Sequence, residues 1–192
     1  MHVFEAIKKV SARFPFKIAG TSSDNGSEFI NAIMLRYCEE NEITFTRSRP
    51  YKKNDSCFVE QKNYSVVRRN VGYLRYDTEE ELILLNELYI YLDHYTNYFQ
   101  PALKLVLKTR VGSKVTKKYD EARTPFRRVL ESKYINDKIK ARLKVQYDSL
   151  NPVDLKRKIS RLQDKLLKLN VLKSNVRKDA ALYEEAYGYI NG

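Results

Sequence analysis

The sequence is poor in the residues that would tie it together covalently or around a soft metal. Among 192 residues the only cysteines are Cys38 and Cys57, and the only histidines are His2 and His94. The cysteines form no CxxC motif, which argues against a zinc site. Two isolated cysteines and no secretory signal fit a reducing cytoplasm better than a disulfide scaffold. No apolar run approaches the roughly 18 residues that a membrane span requires, and there is no internal repeat or low-complexity tract. A soluble, cytoplasmic protein is therefore expected. Acid is also scarce at the start, where Glu5 is the only carboxylate before Asp24.

What the chain has in excess is positive charge. Thirty-six Lys and Arg stand against 24 Asp and Glu, a net charge of +12, which favours a polyanionic partner. The charge comes in blocks. Arg47 to Arg75 holds eight basic and two acidic residues, and Lys104 to Arg128 nine against two. Between them, Asp77 to Asp93 carries six acids and no base. Two basic surfaces separated by an acidic helix are expected, rather than a uniformly basic tail.

Periodicity gives a coarse map. Val3, Phe4, Ile7 and Val10 predict an amphipathic helix to about Arg13, stopped by Pro15. Phe16 to Ser22 reads as a strand with Ile18 and Ala19 buried, followed by an Asn25-Gly26 turn and Ser27 as a helix cap. Phe29, Ile30, Ile33, Met34, Tyr37 and Cys38 form the inner face of the next helix, which ends near Asn41. Ile43 to Arg47 alternates like a strand, and Arg47 to Cys57 reads as a mobile polar loop.

From Phe58 a helix is expected to about Arg75, with Val59, Val66, Val67 and Val71 facing inward. Thr78 caps the next, whose apolar stripe is Leu82, Leu85, Leu88, Tyr89, Leu92 and Tyr95. Lys104–Lys108 and Lys114–Tyr119 flank Val111-Gly112-Ser113 as a basic hairpin or as two extended arms. Thr124-Pro125 opens a helix, another covers about Asp137 to Ser149, and Asn151-Pro152 opens a third. That last helix spaces Leu155, Ile159, Leu162, Leu166 and Leu169 for packing on its own domain or for a coiled-coil dimer.

Two acids stand out. Asp24 lies in Ser23-Asp24-Asn25-Gly26-Ser27-Glu28-Phe29 at a strand end, and Glu60 follows at a helix start with 35 residues between them. Carboxylates placed so can converge although distant in sequence, and converging carboxylates are what two-metal phosphodiester chemistry needs. A turn aspartate and a helix-start glutamate favoured by the dipole are the plain alternatives. Around the pair, Lys52, Lys53, Asn54, Lys62, Asn63, Arg68 and Arg69 are positioned for phosphate contact, as are Lys114, Lys117 and Lys118 further on. A solvated surface is the alternative for each.

The neighbours of both acids carry a resemblance. Ser23-Asp24-Asn25-Gly26-x-Glu28-Phe29 resembles the second-aspartate motif of the retroviral-integrase superfamily. Arg49-Pro50-Tyr51-x-x-Asn54-Asp55 with Val59-Glu60-x-x-Asn63 resembles the glutamate motif of integrase-core transposases from bacterial insertion sequences. Val71-Gly72-Tyr73-x-Arg75-Tyr76-Asp77, Asn97-x-Phe99-Gln100-Pro101-x-x-Lys104-Leu105 and Tyr119-Asp120-x-Ala122-x-Thr124-Pro125 are similar to the same group. The likeness runs from about residue 1 to about 170.

The resemblance implies an α/β fold. Residues 1–100 would form a partial RNase H-like core with its first three strands absent, residues 101–151 a basic extended or hairpin segment with helices, and residues 152–192 an amphipathic helical tail. It implies strand transfer on DNA dependent on Mg²⁺ or Mn²⁺, with Asp24 and Glu60 as metal-holding carboxylates. It implies transposon ends and target DNA as partners, and self-association or pairing with intact transposase. The family's first aspartate has no counterpart here, so the expectation is an N-terminally truncated chain that holds metal weakly or not at all and is inactive alone. A non-catalytic DNA-binding or regulatory chain, or one half of a split enzyme, is the alternative. Retroviral members carry basic residues four and seven positions past the glutamate, where this chain has Tyr64 and Val67. The strand before Asp24 would also present an unpaired, fairly apolar edge, with self-association as its consequence.

Overall fold

The computed structural model describes residues 2–23, 32–49, 55 and 57–190. They form a predominantly helical α/β protein with two small sheets, in two compact units, residues 1–73 and 74–192.

The first unit begins with α1 (His2–Arg13). Strand β1 (Gly20–Ser23), helix α2 (Ala32–Glu40) and strand β2 (Thr44–Arg47) follow as a crossover unit. The strands pair in parallel from Gly20↔Thr44 to Ser23↔Arg47. Helix α2 buries Met34 and Cys38, and Tyr37 meets Phe4 of α1 edge-on at 5.3 Å. Burial pushes the Cys38 thiol pKa up, and Glu39 adds to the effect. Glu42 turns the chain into β2 with φ 54, a conformation usually given to glycine. Its carboxylate accepts a 2.6 Å bond from Lys17.

Several expectations need correction here. The strand is Gly20–Ser23, not Phe16–Ser22; Ala19 is exposed, Ile18 half-buried, and Ser23 is the buried member. The edge is thus Gly-Thr-Ser-Ser, polar rather than apolar, which removes the reason given for self-association. Ile33 is 58% exposed. The Asn25-Gly26 turn, the Ser27 cap, Phe29 and Ile30 lie outside the described residues.

The glutamate helix is shorter and less regular than its sequence pattern. Helix α3 (Cys57–Lys62) runs into a π-helical stretch (Asn63–Arg68) and one last α turn, α4 (Arg69–Val71). It stops at Gly72, whose φ of 68° and ψ of −154° only glycine adopts readily. The stop comes before the expected Arg75. Val59 and Val66 are exposed and Val67 and Val71 half-buried, so none of the four is core.

The second unit is organised by two long helices, α5 (Glu79–Phe99) and α8 (Pro152–Ile190). They run antiparallel: Glu81 pairs with Lys173, while Tyr91 and Tyr95 meet Lys158 and Lys156. Leu88 and Leu92 are buried on α5, and Leu155, Ile159, Leu162 and Leu166 on α8. Leu169 is half-buried, and the next residue, Asn170, takes the inner position. Leu82, assigned to the α5 stripe, is 57% exposed. The packing places α8 on α5 of its own unit. It also puts the boundary between compact units at 73/74, whereas the resemblance ends its core at 100.

Between these helices lie a hairpin of β3 (Leu105–Val111) and β4 (Lys114–Tyr119), and helices α6 (Pro125–Glu131) and α7 (Asp137–Asp148). Thr124 and Asn136 cap α6 and α7 with side-chain oxygens, and Pro125 opens α6. A second core gathers Tyr98, Phe126 and Leu143, with Tyr147 stacked on Phe126 at 4.8 Å. The Tyr98 hydroxyl donates to Gln146 Oε1 at 2.7 Å, which satisfies it in this apolar setting.

Candidate functional site

Glu60 sits in the first turn of α3 with its side chain exposed, and it forms no ion pair among the described residues. An exposed, unpaired carboxylate at a helix start is a hard oxygen donor available to a cation of the Mg²⁺ type. Its expected companion, Asp24, lies outside the described residues, as do Lys52, Lys53 and Asn54. Strand β1 ends at Ser23, immediately before Asp24. Parallel pairing sets the ends of β1 and β2 side by side, with Ser23 opposite Arg47. Ser48 then locks that end, its backbone N–H donating to Ser23 O at 3.0 Å.

The approach to the glutamate helix is fixed by charge. Arg49 donates from its backbone N–H, Nε and Nη2 to the Asp55 carboxylate at 3.1, 2.8 and 3.0 Å. These bonds hold the Asp55 carboxyl down at about 2, although partial burial opposes them. Arg49 and Asp55 thereby tie the two ends of the loop that precedes α3, a role that nothing in the polar composition of the loop announced. The expected mobility of residues 50–54 lies outside the described residues.

Lys62, Asn63 and Arg69 are exposed. Arg68 is half-buried, with its guanidinium 4.6 Å over the Tyr73 ring and Nη1 donating to Gly72 O at 3.4 Å. Of the cations expected near Glu60, Lys62, Arg68 and Arg69 therefore lie on its own helical segment. Lys114, Lys117 and Lys118 are exposed on β4, in the other compact unit.

In the second unit the acids and bases form two well-defined constellations. The first is at the α5 N-terminus. Glu81 is only 1% exposed, and its carboxylate accepts from Lys173 Nζ at 2.7 and 2.8 Å, from Asn170 Nδ2 at 3.2 Å, and from the backbone N–H groups of Asp77 and Thr78. Thr78 returns a bond from Glu81 N–H to its hydroxyl, completing a capping box. Burial pushes the Glu81 carboxyl up; the donors outweigh it and bring it to about 2. Arg177 adds a pair to Asp77 at 3.1 Å. The Thr78-x-x-Glu81 spacing was a readable sign of the box, but Lys173 is too remote in sequence to be found that way.

The second constellation braces the hairpin. Asp120 accepts from Arg128 Nη1 at 2.6 Å and from the backbone N–H of Lys104 at 2.6 Å, and Arg128 Nη2 also donates to Ala102 O at 2.7 Å. The Arg128 guanidinium and the Lys104 N–H hold the Asp120 carboxyl at about 2. An isolated two-stranded hairpin is marginal in water, so this brace should decide whether the ribbon persists. In Arg128→Ala, amide protection across Leu105–Tyr119 should fall about tenfold or more in hydrogen exchange, with the α5–α8 amides unaffected. Equal loss in both regions would mean that Arg128 supports the whole unit instead.

Among the described residues no group of three or more His, Cys, Asp or Glu is placed to hold a metal ion, and no helix is long and apolar enough to cross a membrane. The chain is similar to the uncharacterized protein y4rM of Sinorhizobium fredii, 41% identical over 126 residues. Those residues are 66% of this chain and 36% of that protein, so the chain spans little more than a third of its relative. No family model matches the chain, and no solved structure does.

Proposed function

We propose that this chain carries part of an integrase-core catalytic domain with an RNase H-like sheet, of the kind used by transposases of bacterial insertion sequences. In this reading Asp24 and Glu60 are two of the carboxylates serving DNA strand transfer. The observation that carries it is the β1–α2–β2 crossover together with the helix that starts at Cys57. The crossover ends β1 at Ser23, beside Arg47 in a parallel pair, and the helix offers Glu60, unpaired among the described residues, in its first turn. The ordered motifs from Asp24 to Pro125 support it independently. So does the parallel pairing of the sheet. Among the described residues the first sheet is a single parallel pair, and parallel pairing belongs almost only to α/β proteins whose sheets are covered on both faces.

Asp24 and Glu60 would hold Mg²⁺ or Mn²⁺, and such an ion, when bound, activates an attacking oxygen and stabilises a leaving one. Two carboxylates alone would hold such an ion weakly. Lys62, Arg68 and Arg69 would contact phosphate beside it. The π-helical stretch favours Arg68, because a wider turn shifts later residues by about one position relative to an α-helix. Arg68 then stands two turns beyond Glu60, where Val67 would stand in an unbroken helix. The non-catalytic alternative, a chain that only binds DNA or pairs with intact transposase, draws its support from the exposed basic hairpin.

Manganese provides the test. Mn²⁺ added to the labelled protein should broaden amide resonances around residues 23–25 and 57–62 first, and Asp24→Asn or Glu60→Gln should each weaken that effect about tenfold. Broadening centred instead on the acidic start of α5 would overturn the assignment.

A further inference from the structure

The β3–β4 hairpin is a basic ribbon on which none of the described residues packs. Every residue from Pro101 to Tyr119 is exposed. Between Lys108 and Lys118 there are five cations and no acid. The nearby acids are already committed, Asp120 to Arg128 and Glu121 to Arg123. Lys108, Lys114, Lys117 and Lys118 have no ion-pair partner among the described residues.

The register shows where this charge lies. Lys108 faces Lys117 directly across the strands, and Arg110 faces Val115. Alternation puts Lys108, Arg110 and Lys117 on one face. The opposite face carries Lys118 across from Leu107 and Lys114 across from Val111, with Thr109 and Thr116 paired between them. Like charges directly opposite weaken a sheet. A lysine pair at such a position, with no acid paired to it among the described residues, is a place where an external anion would relieve the repulsion. Cations on both faces require anions on both sides, which a flat acidic surface does not provide.

We infer that the β3–β4 hairpin inserts into the major groove of duplex nucleic acid, with Lys108, Arg110 and Lys117 reaching phosphates on one wall and Lys114 and Lys118 those on the other. The major groove is wide enough for a two-stranded ribbon. Gly112, at φ 60°, opens the two-residue turn and keeps the tip narrow, and Val111, 81% exposed beside it, offers an apolar contact to base edges. The inference deepens the DNA reading above and rests on it for the partner's class, but not on the metal site.

Two double variants separate the faces, Lys108→Thr with Lys117→Thr and Lys114→Thr with Lys118→Thr. Each should weaken binding of the full chain to a short DNA duplex about tenfold and reduce the slope of log affinity against log salt by about 2. This binding should persist in EDTA, and the manganese broadening around residues 57–62 should persist in both double variants, so failure of the metal reading and of the ribbon reading can be told apart. In the unmodified chain the same duplex should shift amide resonances throughout Leu105–Tyr119, which covers the case of a variant that does not fold. Loss confined to one face, affinity indifferent to salt, or preference for anionic vesicles over duplex would each overturn the inference.

Discussion

Glu81→Ala should destabilise the 74–192 unit by about 3–5 kcal/mol, the usual cost of removing one partner from a buried ion pair. The carboxylate is 1% exposed and accepts bonds from Lys173, Asn170 and two backbone N–H groups. Its loss leaves the two backbone N–H groups without their acceptor and the Lys173 ammonium with Asp77 as its one remaining carboxylate among the described residues. Urea unfolding followed by circular dichroism should show a lower midpoint with an unchanged slope. A loss under about 1 kcal/mol would mean that water replaces the carboxylate freely, and that the cluster behaves as a surface pair. Glu81→Met combined with Lys173→Met should recover part of the loss, since both charges then leave the interior together. Recovery should be incomplete, because the Asp77 and Thr78 backbone N–H groups still lack an acceptor.

The same group sets a pH dependence of known sign. In the folded chain the Glu81 carboxyl is held at about 2, below its ordinary value of 4.5. A depressed carboxylate stabilises the fold fully above its unfolded value and loses that contribution as pH falls towards the folded one. Stability of the unit should therefore decline between about pH 4.5 and about pH 2. Asp120, held at about 2, and Asp77, also lowered, contribute over a similar range. Glu81→Ala should flatten this dependence without abolishing it.

The second large effect belongs to the helix pair. Leu88→Ala should cost about 3 kcal/mol, because Leu88 is fully buried and its truncation leaves a cavity between packed helices. Leu82→Ala, on the same helix, should change stability by no more than about 0.5 kcal/mol, since Leu82 is 57% exposed. The two leucines are indistinguishable in the apolar stripe of the sequence, so the comparison tests the packing itself. Comparable losses in both variants would mean that α5 packs on a wider face than the one seen here.

What could be read from the chain depended on the range of the signal. Thr78 before a run of acids, Thr124 before Pro125, and Gly112 between two basic strands all mark element ends correctly, because capping and turn chemistry act within a few residues. The four-three spacing from Leu155 to Leu166 likewise found the inner face of α8. The strand before Asp24 was misplaced because Phe16–Ala19 is the more apolar stretch, while pairing with Thr44–Arg47 selects the polar Gly20–Ser23. Val66, Val67 and Val71 follow helical spacing after Glu60, but the π-helical stretch breaks the period that would turn them into a core.

The candidate site divides along the same line. By itself the sequence determined the chemical identity of the acids at 24 and 60, the surplus of positive charge, and the helices and turns whose causes are local. Only the tertiary structure decided that Glu60 is exposed and unpaired among the described residues, that Arg49 pairs with Asp55 ahead of it, and that Lys173 reaches Glu81 across 92 residues. It also decided which lysines share a face of the hairpin, through register rather than composition. The physical reason is common to all of these. A side chain's charge and size are carried by the residue, but its burial and its partner depend on which distant segment packs against it.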